Sequence, residues 1–110
     1  MRLAIIGSRS AAGVDIAAHL PFTPDMIVSG GARGADTLAR EYARANNIPV
    51  LEFLPKYEAY GRRAPILRNI QIVDNCDFLL AFWNGTSRGT KFTVDYAIRK
   101  GVPYKIVRID

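Results

Sequence analysis

The sequence predicts a single α/β domain, a doubly wound sheet of about five mostly parallel strands with helices on both faces. Three observations carry this expectation. Short apolar runs of strand length alternate with segments of helical period from end to end, the order that builds parallel sheets. The runs at Leu3 to Ile6, Met26 to Ser29 and Phe78 to Phe82 are almost wholly apolar, as strands covered on both faces must be. At 110 residues, 49% hydrophobic and 23% charged, the chain suffices for one core without a separate substrate domain, so residues 1–110 are expected to form one unit.

The elements follow in order. Leu3 to Ile6, the first strand, runs into Gly7-Ser8-Arg9-Ser10, and a short, weak helical pattern covers Gly13 to Leu20. Met26 to Ser29, the second strand, ends in Gly30-Gly31-Ala32-Arg33-Gly34. From Ala35 to Asn46, Ala35, Leu38, Ala39, Tyr42 and Ala43 share one helical face, with Thr37, Arg40, Glu41 and Arg44 opposite. Val50 to Leu54 is the third strand. The stretch Pro55 to Ala64 holds two tyrosines and three cations without a period and reads as a loop or lid. Pro65 suits a first helical turn and opens a helix to Asn75 with Ile66, Leu67, Ile70 and Val73 inward. Phe78 to Phe82, the fourth strand, leads through Asn84-Gly85-Thr86-Ser87-Arg88-Gly89 to a helix that begins near Thr90 and stops before Gly101. Tyr104 to Ile109 admits Lys105 and Arg108 on one face, which marks an edge strand.

The formal charge of +5 favours anionic partners, and the basic residues are spread along the chain rather than gathered in a tail. Nucleotides and nucleic acid both satisfy that preference. The lone Cys76 has no partner for an intramolecular disulfide and reads as a small core residue. The apolar start, Leu3 to Ile6, is too short for a signal peptide or a membrane span, so a cytoplasmic protein without membrane contact is expected. No Cys/His cluster points to a metal, no motif points to a cofactor, and the sole histidine, His19, reads as a surface or capping residue.

Three strand ends thus open into small, hydroxyl-rich, glycine-containing loops at one end of a parallel sheet, where ligands of open α/β sheets bind. Glycine lets backbone approach a ligand closely, and amides at the following helix start attract phosphate. Each loop carries an arginine, Arg9, Arg33 or Arg88, with Lys91 just beyond the third. This combination predicts an anion site that includes Gly7, Ser8, Arg9, Gly30, Gly31, Arg33, Gly34, Ser87, Arg88, Gly89 and Thr90. The order around Gly89-Thr90-Lys91 is not a P-loop, and G-G-x-x-G at Gly30 is not the dehydrogenase fingerprint.

The succession Gly7-Ser8-Arg9, then Ser29 to Asp36, then Arg68-Asn69, then Phe82-Trp83-Asn84-Gly85 with Ser87-Arg88-Gly89-Thr90 resembles the SLOG superfamily over nearly the whole chain. It is most similar to the compact members related to YspA and YpsA, and more distantly to the Lonely Guy phosphoribohydrolases and the Smf/DprA proteins. The resemblance implies a Rossmann-like sheet and a site for a nucleotide or nucleotide-derived ligand, to which Asp36, Arg68, Asn69 and Trp83 are added. In the Lonely Guy motif a glutamate follows the G-T pair. Here Gly89 and Thr90 match the pair and Arg68 matches the family's helical arginine, but Thr93 stands in the glutamate position. Asp95, two residues on, is turned by about 200° on a helix. Arg68 and Asp36 remain the candidates for a catalytic role. Asp36 also falls in a first helical turn, where a carboxylate complements the dipole.

In the last helix, Thr90, Val94, Ala97 and Ile98 are expected inward, which leaves Phe92 and Tyr96 on another side, and Ile72 is expected to point away from the preceding helix's stripe. These two patches predict a homodimer with Arg68 near a shared site. The functions that follow are a nucleotide-binding sensor, carrier or sequestering module, with Tyr57, Tyr60 or Trp83 available to stack on a base; a nucleotide N-glycosidic hydrolase; and single-stranded nucleic-acid binding through Lys56, Tyr57, Tyr60, Arg62 and Arg63.

Overall fold

A computed structural model describes residues 1–11, 13–31 and 34–109. Five strands, β1 (Arg2–Gly7), β2 (Met26–Ser29), β3 (Val50–Glu52), β4 (Phe78–Trp83) and β5 (Tyr104–Arg108), form one sheet in the order β3-β2-β1-β4-β5. Every pair is parallel, so "mostly parallel" becomes wholly parallel. The chain winds outward from β1 to β3, crosses back, and continues from β4 to β5. Neighbouring loops therefore part beside β1, where the winding direction reverses.

Four helices, α1 (Ala35–Ala45), the single-turn α2 (Tyr57–Tyr60), α3 (Ala64–Asp74) and α4 (Arg88–Lys100), complete the fold. Alternation along the strands feeds two cores. Leu3, Ile5, Ile27, Leu80 and Phe82 pack against Ala35, Ala39 and Ala43 of α1. Ala4, Ile6, Val28, Leu79 and Ala81 pack against Ile72 and Val73 of α3 and Val94 and Ala97 of α4. The alanine stripe lets α1 approach the sheet so closely that a Cβ on Gly7 would lie 2.7 Å from the Ala35 Cβ. His19 stacks edge-on against Phe82, with centroids 5.8 Å apart, over the end of the α1-side core. At the far end of α4, Gly101 at φ 75° closes the helix, with the Val102 amide donating to Ala97 at 2.9 Å.

Several expectations change in three dimensions. The Gly13 to Leu20 pattern forms only a 3-10 turn, Ile16–His19, capped by Asp15. The Pro55 to Ala64 stretch is not irregular throughout, because α2 and a 3-10 turn at Gly61–Arg63 lead directly into α3. Helix α4 starts at Arg88, earlier than expected, because Ser87 caps it.

The helix faces differ in part from expectation. In α3, Val73 is buried as expected, but Ile72 is buried too and Ile66 is 43% exposed. In α4, Thr90, Val94 and Ala97 are buried as expected, whereas Thr93 joins them and Ile98 is exposed. The reason is that α3 and α4 lie on the same face of the sheet. Tyr96 is half-buried against the shared core, and its hydroxyl donates to the Asp74 carboxylate at 2.9 Å, so Ile72 and Tyr96, expected to meet a second copy, both make contacts within the chain. That bond to an anion, with some burial, raises the Tyr96 phenol above its usual pKa.

Burial pushes the Cys76 thiol up to about 11 from 9.0. Because the unfolded chain releases this proton first, native stability should fall as pH rises from 9 towards 11 and level off beyond. A Cys76→Ser comparison of denaturation midpoints over that range measures the effect, with a smaller pH dependence expected in the variant.

Candidate functional site

The loops after β1, β2 and β4 meet α3 and the start of α2 around a cleft of about 630 Å³. Two cross-ties position the β1 loop at its centre. On one side the Ser8 amide donates to the Phe82 carbonyl at 2.9 Å, and the Asn84 amide donates to the Ser8 hydroxyl at 3.2 Å. On the other side Gly34, at φ 77°, packs against the Ser8 and Arg9 carbonyls.

The β4 to α4 loop is ordered by its own side chains. Asn84 Oδ1 accepts from the Thr86 and Ser87 amides, each at 2.9 Å. Ser87 caps α4 by accepting from the Thr90 amide at 3.4 Å, and the Ser87 and Thr90 hydroxyls lie 3.2 Å apart. Ser87→Ala should therefore destabilise the protein by about 1 kcal/mol in denaturant titration. Neither Arg88 nor Gly89 nor Thr90 is acidic, so no carboxylate of the first turn offsets the positive end of the α4 dipole.

From the opposite wall, α3 reaches across the sheet. Arg68 Nη1 donates to the Gly30 carbonyl at 2.8 Å and Nε donates to Asn69 Oδ1 at 2.8 Å. A Cβ on Gly30 would collide with that guanidinium, so glycine at the end of β2 makes room for Arg68. Arg68 also lines a smaller hollow of about 230 Å³ behind α2, with Leu54, Tyr60 and Leu67.

The cleft brings together Gly7, Ser8, Arg9, Gly30, Gly31, Asp36, Arg68, Asn69, Ser87, Gly89 and Thr90, residues far apart in sequence. Gly34 stands behind it as the N-cap of α1. Trp83 and Arg88 are not in the lining; the Trp83 indole donates to the Ser87 carbonyl at 3.0 Å and braces the loop from behind. Arg33 lies outside the described residues. Sequence reasoning did not place Ile6, Pro55, Pro65 or Ile72 in the site, and ordinary core or turn residues of this kind carry no signal for it. Tyr57, anticipated only as a stacking residue, lines the cleft while 59% exposed.

Asp36 is the carboxylate in the described lining, and it is only 7% exposed. The other nearby acids lie outside the lining. Glu52 accepts from Arg40 Nε at 2.9 Å, which raises the arginine pKa further. Asp95 pairs with Lys91 at 2.9 Å on the exposed side of α4, and Glu41 is exposed. The buried Thr93 hydroxyl donates to the Gly89 carbonyl at 2.8 Å, within its own helix. Among the described residues no three His, Cys, Asp or Glu side chains come together as a metal site, and no helix is long and apolar enough to cross a membrane.

A family profile described as YAcAr, the YspA, cpYpsA-related SLOG family, matches residues 1–60. The "Gene 61 protein" of Mycobacterium phage D29 is 38% identical over 84 residues, covering 71% of this chain and 67% of that protein. No solved structure matches the chain.

Proposed function

The chain belongs to the YspA, cpYpsA-related SLOG family, and on that premise we propose that it binds a phosphate-bearing nucleotide or nucleotide derivative in the cleft, as a sensor, carrier or sequestering module. The observation that carries this reading is the convergence of Arg9, Arg68 and the hydroxyls of Ser8, Ser87 and Thr90 on one cleft at the start of α4. Cations, hydroxyls and leading helix amides are the donors that hold phosphate. Tyr57 stands at the exposed margin, where an aromatic ring can cover a base. We place the protein in the cytoplasm, which supplies such ligands and keeps a free thiol reduced.

Thermal denaturation with mononucleotides, dinucleotides, cyclic nucleotides and ADP-ribose derivatives tests the reading. A ligand at a hundred times its Kd should add about 2.7 kcal/mol of stability. Thr90→Ala should weaken the best ligand by about tenfold, through loss of a donor to an anion. No stabilisation by any of these compounds sinks the proposal.

Hydrolysis by the Lonely Guy route is disfavoured, since Thr93 and Asp95 are both engaged away from the cleft. A second reading, single-stranded nucleic-acid binding, is favoured by one observation: Lys56, Tyr57, Tyr60, Arg62 and Arg63 are all exposed along one short segment. It requires affinity for oligonucleotides that grows with length and falls steeply with salt.

A further inference from the structure

We propose that the outer edge of β5 pairs antiparallel with β5 of a second copy of the chain, on a twofold axis through Ile106, so that one sheet runs through both copies.

The ladder to β4 fixes which backbone groups are left over. The Leu79 amide donates to the Pro103 carbonyl at 3.0 Å, and the Ile109 amide donates to the Trp83 carbonyl at 2.8 Å. Alternate residues of a parallel strand serve one neighbour, so Pro103, Lys105, Val107 and Ile109 turn their backbone to β4. Tyr104, Ile106 and Arg108 turn theirs outward. Among the described residues β5 ends the sheet, and those outward amides and carbonyls meet no further strand.

Natural sheets guard such an edge with charged side chains. Here both cations of the strand are folded back on the chain. Lys105 Nζ donates to the His19 carbonyl at 3.2 Å, and the Arg108 guanidinium lies against Gly85, where a Cβ would collide with it. What the edge presents instead is apolar. Tyr104 and Ile106 are 44% and 42% exposed and stand in register with Leu79 and Ala81, on the α4 side of the sheet. In α4, Tyr96 turns to Asp74 of α3, which leaves the exposed Ile98 on the opposite flank, bordering the same edge.

The residue order names a second copy as the occupant. With the axis at Ile106, that residue faces its own equivalent, Tyr104 faces the partner's Arg108, and Lys105 faces the partner's Val107. The outward residues then form the narrow pairs, each exchanging two N–H···O bonds. No like charges oppose each other, and an aromatic ring meets a cation. An axis at Lys105 would set two lysines face to face, and one at Val107 would leave Tyr104 opposite a residue beyond the strand. The twofold also turns the copies end for end. Their clefts open in opposite directions, so each copy keeps its own instead of sharing one through Arg68.

Sedimentation velocity of the full chain from micromolar to millimolar concentration tests this. The wild-type chain should pass from one copy to two. Ile106→Lys and Ile106→Glu should each weaken the association by at least about a hundredfold, because like charges replace two apolar side chains on the axis. An equimolar mixture of these variants should recover the dimer, since only a residue that faces itself brings lysine against glutamate. Ile66→Lys, an exposed change on α3, should associate as the wild type does. Circular dichroism should show all three variants folded. A wild-type chain that stays a single copy at millimolar concentration overturns the inference, as does a dimer that persists in both Ile106 variants. A mixture that stays monomeric, or loss of the dimer in Ile66→Lys, overturns it as well.

Discussion

Gly34→Ala should lower native stability by about 3 kcal/mol, the sum of a strained backbone and an overpacked contact, and depress the melting temperature by on the order of 10 °C. At φ 77° and ψ −121° the residue occupies a region that an L side chain scarcely enters. Space makes the substitution worse, because a Cβ would lie 2.7 Å from the Ser8 carbonyl oxygen and 2.9 Å from that of Arg9. Both are backbone atoms and cannot rotate away. The β1 loop would have to shift, and with it the Asn84 to Ser8 bond that joins the two halves of the cleft. Ligand affinity should fall along with stability. Differential scanning calorimetry of the variant, with and without ligand, reads both effects. An unchanged melting temperature would mean that the β1 and β2 loops do not pack as described.

Arg68→Ala should reduce nucleotide affinity by about a hundredfold, because in the proposed complex its guanidinium is a charge-assisted donor to phosphate. The same change removes the bond from α3 to the Gly30 carbonyl and should cost about 1 kcal/mol in the absence of ligand. Arg68→Lys separates the two roles. Lysine restores charge but not the planar fork, so it should recover only part of the affinity. Titration calorimetry on both variants decides the matter, and an Arg68→Ala protein that binds as tightly as wild type would exclude this guanidinium from ligand contact. The arginine lines both the cleft and the hollow behind α2, so its loss should also change the exchange protection of residues 55–63.

Much of this architecture was legible in the chain itself. The near-continuous apolar runs of β1, β2 and β4 require cover on both faces, which makes them central strands, and Lys105 and Arg108 mark β5 as an edge. The glycine, serine and arginine loops could be assigned to one end of the sheet because every strand is parallel. Local signals were weaker where neighbours decide the outcome. The buried faces of α3 and α4 are set by their lying side by side on one face of the sheet, and a single-helix periodicity contains no information about that neighbour. Trp83 looked like a stacking residue because aromatics near ligand loops often are, yet its indole is used on the Ser87 carbonyl.

The sequence by itself determined the fold class, the strand roles and the glycine, hydroxyl and arginine content of the loops, since these follow from periodicity and residue type over short stretches. Only the tertiary structure decided which polar groups share the cleft. It brought Asp36 and Arg68 into one lining, engaged Thr93 and Asp95 with other groups of α4, and gave Ile72 and Tyr96 contacts within the chain. The physical reason is that hydrogen bonds and burial between distant segments depend on crossover direction and helix rotation, which no local pattern encodes.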